Sequence, residues 1–73
     1  MYTSKQIVHK LDISLRQLYY WELKGVVTPE LISLGTREFK RYSETDLIKL
    51  RLIKKNIDLG YTLTAAIKKL GEK

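Results

Sequence analysis

Cysteine is missing from the 73-residue sequence, so no disulfide bond can stabilise the chain. A protein without cysteine suits a reducing compartment. The single histidine, His9, has no cysteine or second histidine to join it, so we expect neither a structural zinc site nor a cofactor. Paired catalytic acids, a Ser-His-Asp or Cys-His set and a phosphate-binding glycine loop are also missing, and we therefore expect no enzyme.

Long apolar runs are missing too. No stretch approaches the roughly 20 apolar residues that span a bilayer, and the N-terminus lacks the basic-then-apolar layout of a signal peptide. These absences predict a cytoplasmic protein that does not enter a membrane. The length fits one domain, residues 1–73, with a small core.

Acidic residues are few beside basic ones. The chain has 8 Asp and Glu against 14 Lys and Arg, which gives a net charge of +6. This excess favours an anionic partner, either nucleic acid or an acidic membrane surface. The alternative is a generally basic domain in which the charge serves no particular partner.

Capping patterns predict two short helices near the N-terminus. Thr3 precedes Gln6, and Ser14 precedes Gln17, by the three residues of a capping box. In such a box the hydroxyl accepts a hydrogen bond from the backbone at the start of the helix. Each of these hydroxyl residues is therefore expected to lie just before a helix.

The first of these helices is predicted over residues 4–10. The second is expected to begin near Leu15 and to end before Gly25, a residue that favours a left-handed helix end. Two short helices joined by a brief turn form a helix-turn-helix over residues 3–24. Such pairs also occur in proteins that do not bind DNA.

The chain changes character over residues 26–42. Pro29 excludes a helix interior. Apolar and polar residues roughly alternate on both sides of Gly35 and Thr36, which predicts a two-stranded β-ribbon, or wing, with its turn at these residues. The alternative is a plain surface loop.

Two further helices are predicted over residues 44–59 and 63–70. The first begins after Ser43, and its apolar residues recur at steps of three and four; the second begins after Thr62. The predicted fold is therefore mainly α: a winged helix-turn-helix of about four helices with a small two-stranded β wing.

The second helix is predicted to have two different faces, because successive helical residues turn by about 100°. One face suits the core and carries Leu15, Leu18, Tyr19 and Glu22. The other is polar, basic and aromatic and carries Arg16, Gln17, Tyr20 and Lys24. Arginine can bond guanine and glutamine can bond adenine, so this second face favours DNA reading.

The aromatic block of this helix is expected to divide its roles. Tyr19 is predicted in the core, Tyr20 facing DNA, and Trp21 between the helix and the wing. For each residue, plain packing is the alternative. Glu22 would repel phosphate, so we expect an internal ion pair with Arg37 or Arg41.

Positive charge also collects on the second arm of the wing. Arg37, Lys40 and Arg41 lie within five positions, and Tyr42 follows them. Next to a DNA-reading helix, such a cluster favours contacts with phosphate, which would strengthen binding to any sequence. The alternative is a solvated charged surface.

Two motifs resemble those of MerR-type transcription regulators. "ISLRQLYYWELKGVV" is similar to the V-S-x-R-x-L-R-Y-Y-E-x-x-G-L-L of their reading helix. "FKRYSETDLIKLRLIKKNIDLGYTL" is similar to their Y-R-R-Y-S-x-x-D-L motif and the segment after it. The resemblance covers nearly the whole chain, with the family's order and spacing.

The resemblance implies a winged helix-turn-helix that binds palindromic promoter DNA as a dimer, with the second helix in the major groove and the wing on flanking phosphates. It allows RNA polymerase as a further partner, and the isolated chain is expected to be monomeric. Carried over by position, the DNA contacts are Lys5, Ser14, Arg16, Gln17, Tyr20, Arg37, Lys40, Arg41 and Tyr42.

The chain departs from the family pattern in four ways. Tyr19 stands where many members have arginine, and Trp21 replaces the usual second tyrosine. The wing is longer than the shortest family version. The sequence ends at Lys73, where family members usually continue into a long dimerisation helix and an effector domain, so we expect either the DNA-binding piece of a longer regulator or an effector-free member.

Two other function classes compete with a transcription regulator. An architectural DNA-bending protein, such as a phage excisionase, can use the same small winged fold. A protein-interaction module is suggested by a second apolar stripe on the third helix, formed by Ile48, Leu52 and Leu59. The alternative for this stripe is that it covers the fourth helix.

Overall fold

The structure is a computed structural model that describes residues 1–70, and these residues form four helices and one three-stranded antiparallel sheet. The predicted winged helix-turn-helix fold is confirmed, and residues 71–73 of the predicted domain lie outside the described residues. The elements are β1 (Tyr2–Thr3), α1 (Ser4–Leu11), α2 (Leu15–Leu23), β2 (Glu30–Leu34), β3 (Arg37–Tyr42), α3 (Glu44–Asp58) and α4 (Leu63–Leu70).

Side-chain caps start the first two helices, as the sequence predicts. The Thr3 hydroxyl accepts a hydrogen bond from the Gln6 backbone at 3.2 Å, and the Gln6 side chain accepts one from the Thr3 backbone at 2.9 Å. The Ser14 hydroxyl accepts from the Gln17 backbone at 3.0 Å. Between the helices, Asp12 adopts a left-handed φ of 53° and ends α1, which an aspartate tolerates better than most residues.

The end of α2 turns the chain back into the core. Gly25 has a φ of 86°, and its backbone N–H donates to Glu22 while the N–H of Val26 donates to Trp21. This is the hydrogen-bond pattern of a Schellman cap, which glycine adopts without the strain that a side chain brings. The cap directs Val26 and Val27 into buried positions, so the wing starts from an anchored residue pair.

The wing is a regular hairpin. Leu34 pairs with Arg37 across the two-residue loop of Gly35 and Thr36, and the pairing continues to Glu30 and Arg41. Gly35 has a φ of 64°, a value that tight hairpin turns require. The predicted turn is therefore confirmed.

A third strand was not predicted. The two residues of β1 pair with the end of β3, with Tyr2 opposite Tyr42, and the sheet order is β1-β3-β2. The Tyr2 hydroxyl donates to the Glu44 carboxylate at 2.6 Å, which ties β1 to α3 and raises the pKa of the tyrosine. Two residues directly before a helix cap are too few to show alternation, so the sequence pattern could not reveal this strand.

One hydrophobic core joins the helices to the sheet. Its buried residues come from every helix, from the turn between α1 and α2, from the segment after α2 and from the end of β3; they are Ile7, Leu11, Ile13, Leu18, Trp21, Val26, Val27, Tyr42, Leu47, Leu50, Ile53 and Ala66. The two largest buried side chains are Trp21 and Tyr42. Helix α4 packs on α3 through Ala66.

The second apolar stripe of α3 lies outside this core. Ile48, Leu52 and Leu59 are 50%, 44% and 68% exposed, so the interpretation that they cover α4 is wrong. They lie on the side of α3 away from the buried Leu50. No helix within residues 1–70 is long and apolar enough to cross a membrane.

Two leucines of α3 offer a matched test of this core. Leu50 has no solvent exposure and Leu52 is 44% exposed. Leu50→Ala should lower the free energy of unfolding by about 2–5 kcal/mol, since it leaves a cavity. Leu52→Ala should change it by less than about 0.5 kcal/mol. Urea unfolding followed by circular dichroism measures both variants, and equal losses would contradict the arrangement of α3.

Candidate nucleic-acid interface

The solvent side of α2 carries the residues that the sequence predicts for DNA reading. Arg16 is exposed, Gln17 is half-buried, and Tyr20 is 49% exposed. The ammonium of Lys24 lies 5.4 Å from the centroid of the Tyr20 ring, one helical turn away. The structure therefore brings a guanidinium, an amide, a phenol and an ammonium onto the outward part of one short helix.

The buried face of α2 contains fewer residues than the sequence predicts. Leu18 and Trp21 are buried, as a core face requires. Leu15 and Tyr19 were predicted in the same face, but they are 45% and 42% exposed, so their placement in the core is wrong. A helix of nine residues that meets the core along one edge buries a stripe only one or two side chains wide, and Leu15 and Tyr19 lie just outside it.

Tyr19 has a different role at the boundary between α2 and the wing. The ammonium of Lys40 lies 4.4 Å from the centroid of the Tyr19 ring, within the range of a cation–π contact. The same ammonium lies 3.4 Å from Oε1 of Glu22. Lys40 thus joins the wing to two residues on adjacent turns of α2.

The expected ion pair of Glu22 exists, but its predicted partner was wrong. We expected Arg37 or Arg41, and the structure places Lys40 there. The Glu22 side chain is only 9% exposed, and its second oxygen, Oε2, is buried and accepts no hydrogen bond within residues 1–70. Lys40 is consequently the counterion of a nearly buried carboxylate.

Lys40 meets Glu22, and the arginines do not, because successive side chains of β3 point to opposite faces of the strand. Residues Arg37, Phe39 and Arg41 project from one face of the strand, and Lys40 and Tyr42 project from the other. The lysine face lies toward α2, and both arginines are exposed on the opposite face. The cluster that looks continuous in sequence is therefore divided between a scaffold contact and two exposed guanidinium groups.

Tyr42 was predicted as a DNA contact, and for its side chain this prediction is wrong. The side chain has no solvent exposure, and its hydroxyl accepts a hydrogen bond from the Ser4 hydroxyl at 3.2 Å. Burial raises the pKa of this phenol well above its ordinary value, and the nearby Glu22 carboxylate raises it further. A group so enclosed stabilises the fold instead of meeting a phosphate.

Lys5 comes close to the wing across a groove. It is exposed in the first turn of α1. With Tyr19, Phe39 and Arg41 it lines an open groove of about 570 Å³ between α1 and the wing. The predicted contacts Lys5 and Arg41 therefore border one surface, although 36 residues separate them in the chain.

This arrangement can be compared with known families. A family model described as "MerR HTH family regulatory protein" matches residues 2–73. The chain belongs to the MerR family. No curated protein matches its sequence.

Membership in the MerR family defines the coarse function. The chain is a regulatory helix-turn-helix domain that binds double-stranded DNA, and the family is not a family of enzymes.

Sequence reasoning missed two features of its surface. Leu23 is 81% exposed beside Tyr20, and Lys24 stacks on that tyrosine. The spacing of Tyr20 and Lys24 by one helical turn could have indicated the stack.

The contact between Lys40 and Glu22 can be tested by stability. Lys40→Ala should cost about 1–3 kcal/mol of unfolding free energy, because it leaves a nearly buried carboxylate without a partner. The double variant Glu22→Ala with Lys40→Ala should be more stable than Lys40→Ala alone. Arg41→Ala is the control and should change stability little. Thermal melts measure all three, and a loss confined to Arg41→Ala would contradict this pairing.

Proposed function

We propose that this MerR-family domain binds DNA with α2 in the major groove and with the wing along the flanking phosphates. The observation that carries the proposal is the division of α2. Leu18 and Trp21 hold the helix in the core, while Arg16 and Tyr20 stay exposed on its outward side. A helix anchored in this way presents a rigid polar surface that fits the width of the major groove.

The base-reading residues in this proposal are Arg16 and Gln17. Both lie in the first turn of α2, the part of a recognition helix that contacts base edges. Arginine can bond guanine through two donors, and glutamine can donate to and accept from adenine. The Ser14 hydroxyl, which already accepts from the Gln17 backbone, keeps its hydrogen free to donate to a phosphate. Tyr20 can donate to the backbone in the same way.

The phosphate contacts in this proposal are Arg37 and Arg41 on the wing and Lys5 on α1. All three are exposed, and Lys5 and Arg41 border the same groove. Lys40 has a different role, since its ammonium balances Glu22 and covers Tyr19. By resemblance to the family, two copies would occupy the halves of a palindromic operator.

Base reading can be tested on an operator selected from random duplexes. Arg16→Ala and Gln17→Ala should each reduce the discrimination between this operator and scrambled DNA by roughly 1–3 kcal/mol per cognate base pair. The measurement is a pair of binding titrations at fixed salt. Equal weakening on both duplexes would show that these residues do not read bases.

The wing contacts can be tested through salt dependence. Log affinity falls linearly with log salt concentration, and each phosphate contact steepens this fall by about 0.9. Arg41→Ala should therefore make the salt slope shallower by about one unit, on specific and scrambled DNA alike. Lys40→Ala should leave the slope nearly unchanged while it lowers the melting temperature. Lys49→Ala, on the exposed side of α3, controls for the loss of one charge.

The opposite behaviour of Lys40→Ala and Arg41→Ala would contradict the proposed roles of these two residues. If Lys40→Ala removes a unit of slope and Arg41→Ala does not, the lysine is the phosphate contact. The proposed division of the wing would then be wrong.

A further inference from the structure

The outer strand of the wing has an open edge. Within residues 1–70, strand β2 is the last strand of the sheet and pairs with β3 alone. Four of its five residues are exposed, and Ile32 is half-buried. Natural proteins usually protect such edges with charges, bulges or covering elements. Here the sequence is ELISL, with its one charge at the first position and no lysine.

The hairpin register fixes which backbone groups face outward. In a hairpin with a two-residue loop, the flanking pair, Leu34 and Arg37, exchanges hydrogen bonds, and bonded pairs then alternate along the strands. Ile32 is bonded to β3 by this rule, and the N–H and C=O groups of Leu31 and Ser33 point away from it. These outward groups lie symmetrically on either side of Ile32.

We propose that this edge is an interface for a second copy of the chain, with the two β2 strands antiparallel about Ile32. Leu31 of each copy then lies opposite Ser33 of the other, and both pairs exchange backbone hydrogen bonds. Ile32 meets its own counterpart, and the cross-strand neighbour Phe39 extends this apolar row on both sides. The pairing thereby covers the edge side of the half-buried isoleucine and lengthens the apolar row that ends at the 43% exposed Phe39 ring.

The charges fit the same register. Glu30 lies opposite Leu34 of the other copy, whose own neighbour in the hairpin is Arg37. Glu30 of each copy is therefore separated from Arg37 of the other copy by one residue, Leu34. No two residues of like charge lie directly opposite each other. A register centred on Leu31 places Pro29 opposite Ser33 and loses a bond, because proline has no N–H.

The assembly closes at two copies. The other edge of the sheet is the two-residue β1, which runs directly into α1, so the described part of the chain offers no second long edge for further pairing. A pair of five-residue strands buries far less than the roughly 1,200 Å² of a stable interface. The pairing is consequently weak in dilute solution and gains strength where two copies are held close together.

Disulfide trapping tests both the interface and its register, because the chain has no cysteine of its own. Cα atoms of a non-bonded antiparallel pair lie about 4.5 Å apart, within disulfide range. Ile32→Cys should therefore form a covalent dimer several-fold faster than Leu52→Cys, an exposed control on α3. Leu31→Cys and Ser33→Cys should not outpace that control, since each lies opposite a different residue.

Two further variants separate the interface from the fold. Ser33→Pro removes an outward N–H that β3 does not use, so it should suppress trapping of Ile32→Cys while circular dichroism stays unchanged. If this proline unfolds the wing, the second arm is charge: Ile32→Lys and Ile32→Glu should each remain monomeric at high concentration, whereas their mixture should associate in sedimentation equilibrium.

The outcomes decide the proposal without reference to DNA binding. Selective trapping of Ile32→Cys and association of the mixed charge variants support it. Equal trapping rates for all four cysteine positions, or faster trapping of Leu52→Cys, would overturn it, and the latter result would assign the interface to α3.

Discussion

The burial of Tyr42 is the constraint on which the relation between the wing and the helices depends. This residue ends β3, pairs with Tyr2 of β1, and accepts a hydrogen bond from Ser4 of α1. The next residue, Ser43, caps α3 through a reciprocal bond with Asp46. One buried ring thus joins the sheet to two helices. A disturbance there would shift the arginines of the wing relative to the outward face of α2.

The structure also shows that part of the positive charge in this DNA-binding domain is paired with acidic residues of the same chain. Lys40 balances Glu22, and Lys54 pairs with Asp58 at 2.9 Å within α3. The first pair holds two elements together around a nearly buried acid, and the second is an exposed pair within one helix that adds little stability. A net charge of +6 therefore says that an anion is favoured, but not which lysines and arginines meet it.

The exposed apolar side chains also fall into two groups. A chain of this size cannot bury all of its large side chains, because a small domain encloses a small fraction of its surface. Leu23 is exposed on α2, Leu52 on α3, Leu59 just after α3, and Leu34 on the wing. Among residues 1–70, this exposure coincides only on the wing with backbone donors and acceptors that point outward in a self-complementary order. That coincidence separates a pairing edge from apolar surface that is merely left over.

The sequence by itself determined the helices and the hairpin, because their signals are local. Thr3, Ser14 and Ser43 cap helices within three residues, and Gly25 and Gly35 supply the left-handed conformations that end a helix and form a tight turn. Such signals act between neighbours in the chain and can be recognised without the tertiary fold. The outward position of Tyr20 was predictable for the same reason, since helical spacing alone separates it from Leu18.

Tertiary structure decided what depends on contacts between distant residues. The pairing of β1 with β3, the choice of Lys40 as the partner of Glu22, and the burial of Tyr42 each join residues from separate elements. Tyr19 is exposed because the wing reaches α2 with a lysine instead of an apolar side chain. Helical periodicity could not show this, since it gives the direction of a side chain but not the element that arrives to meet it.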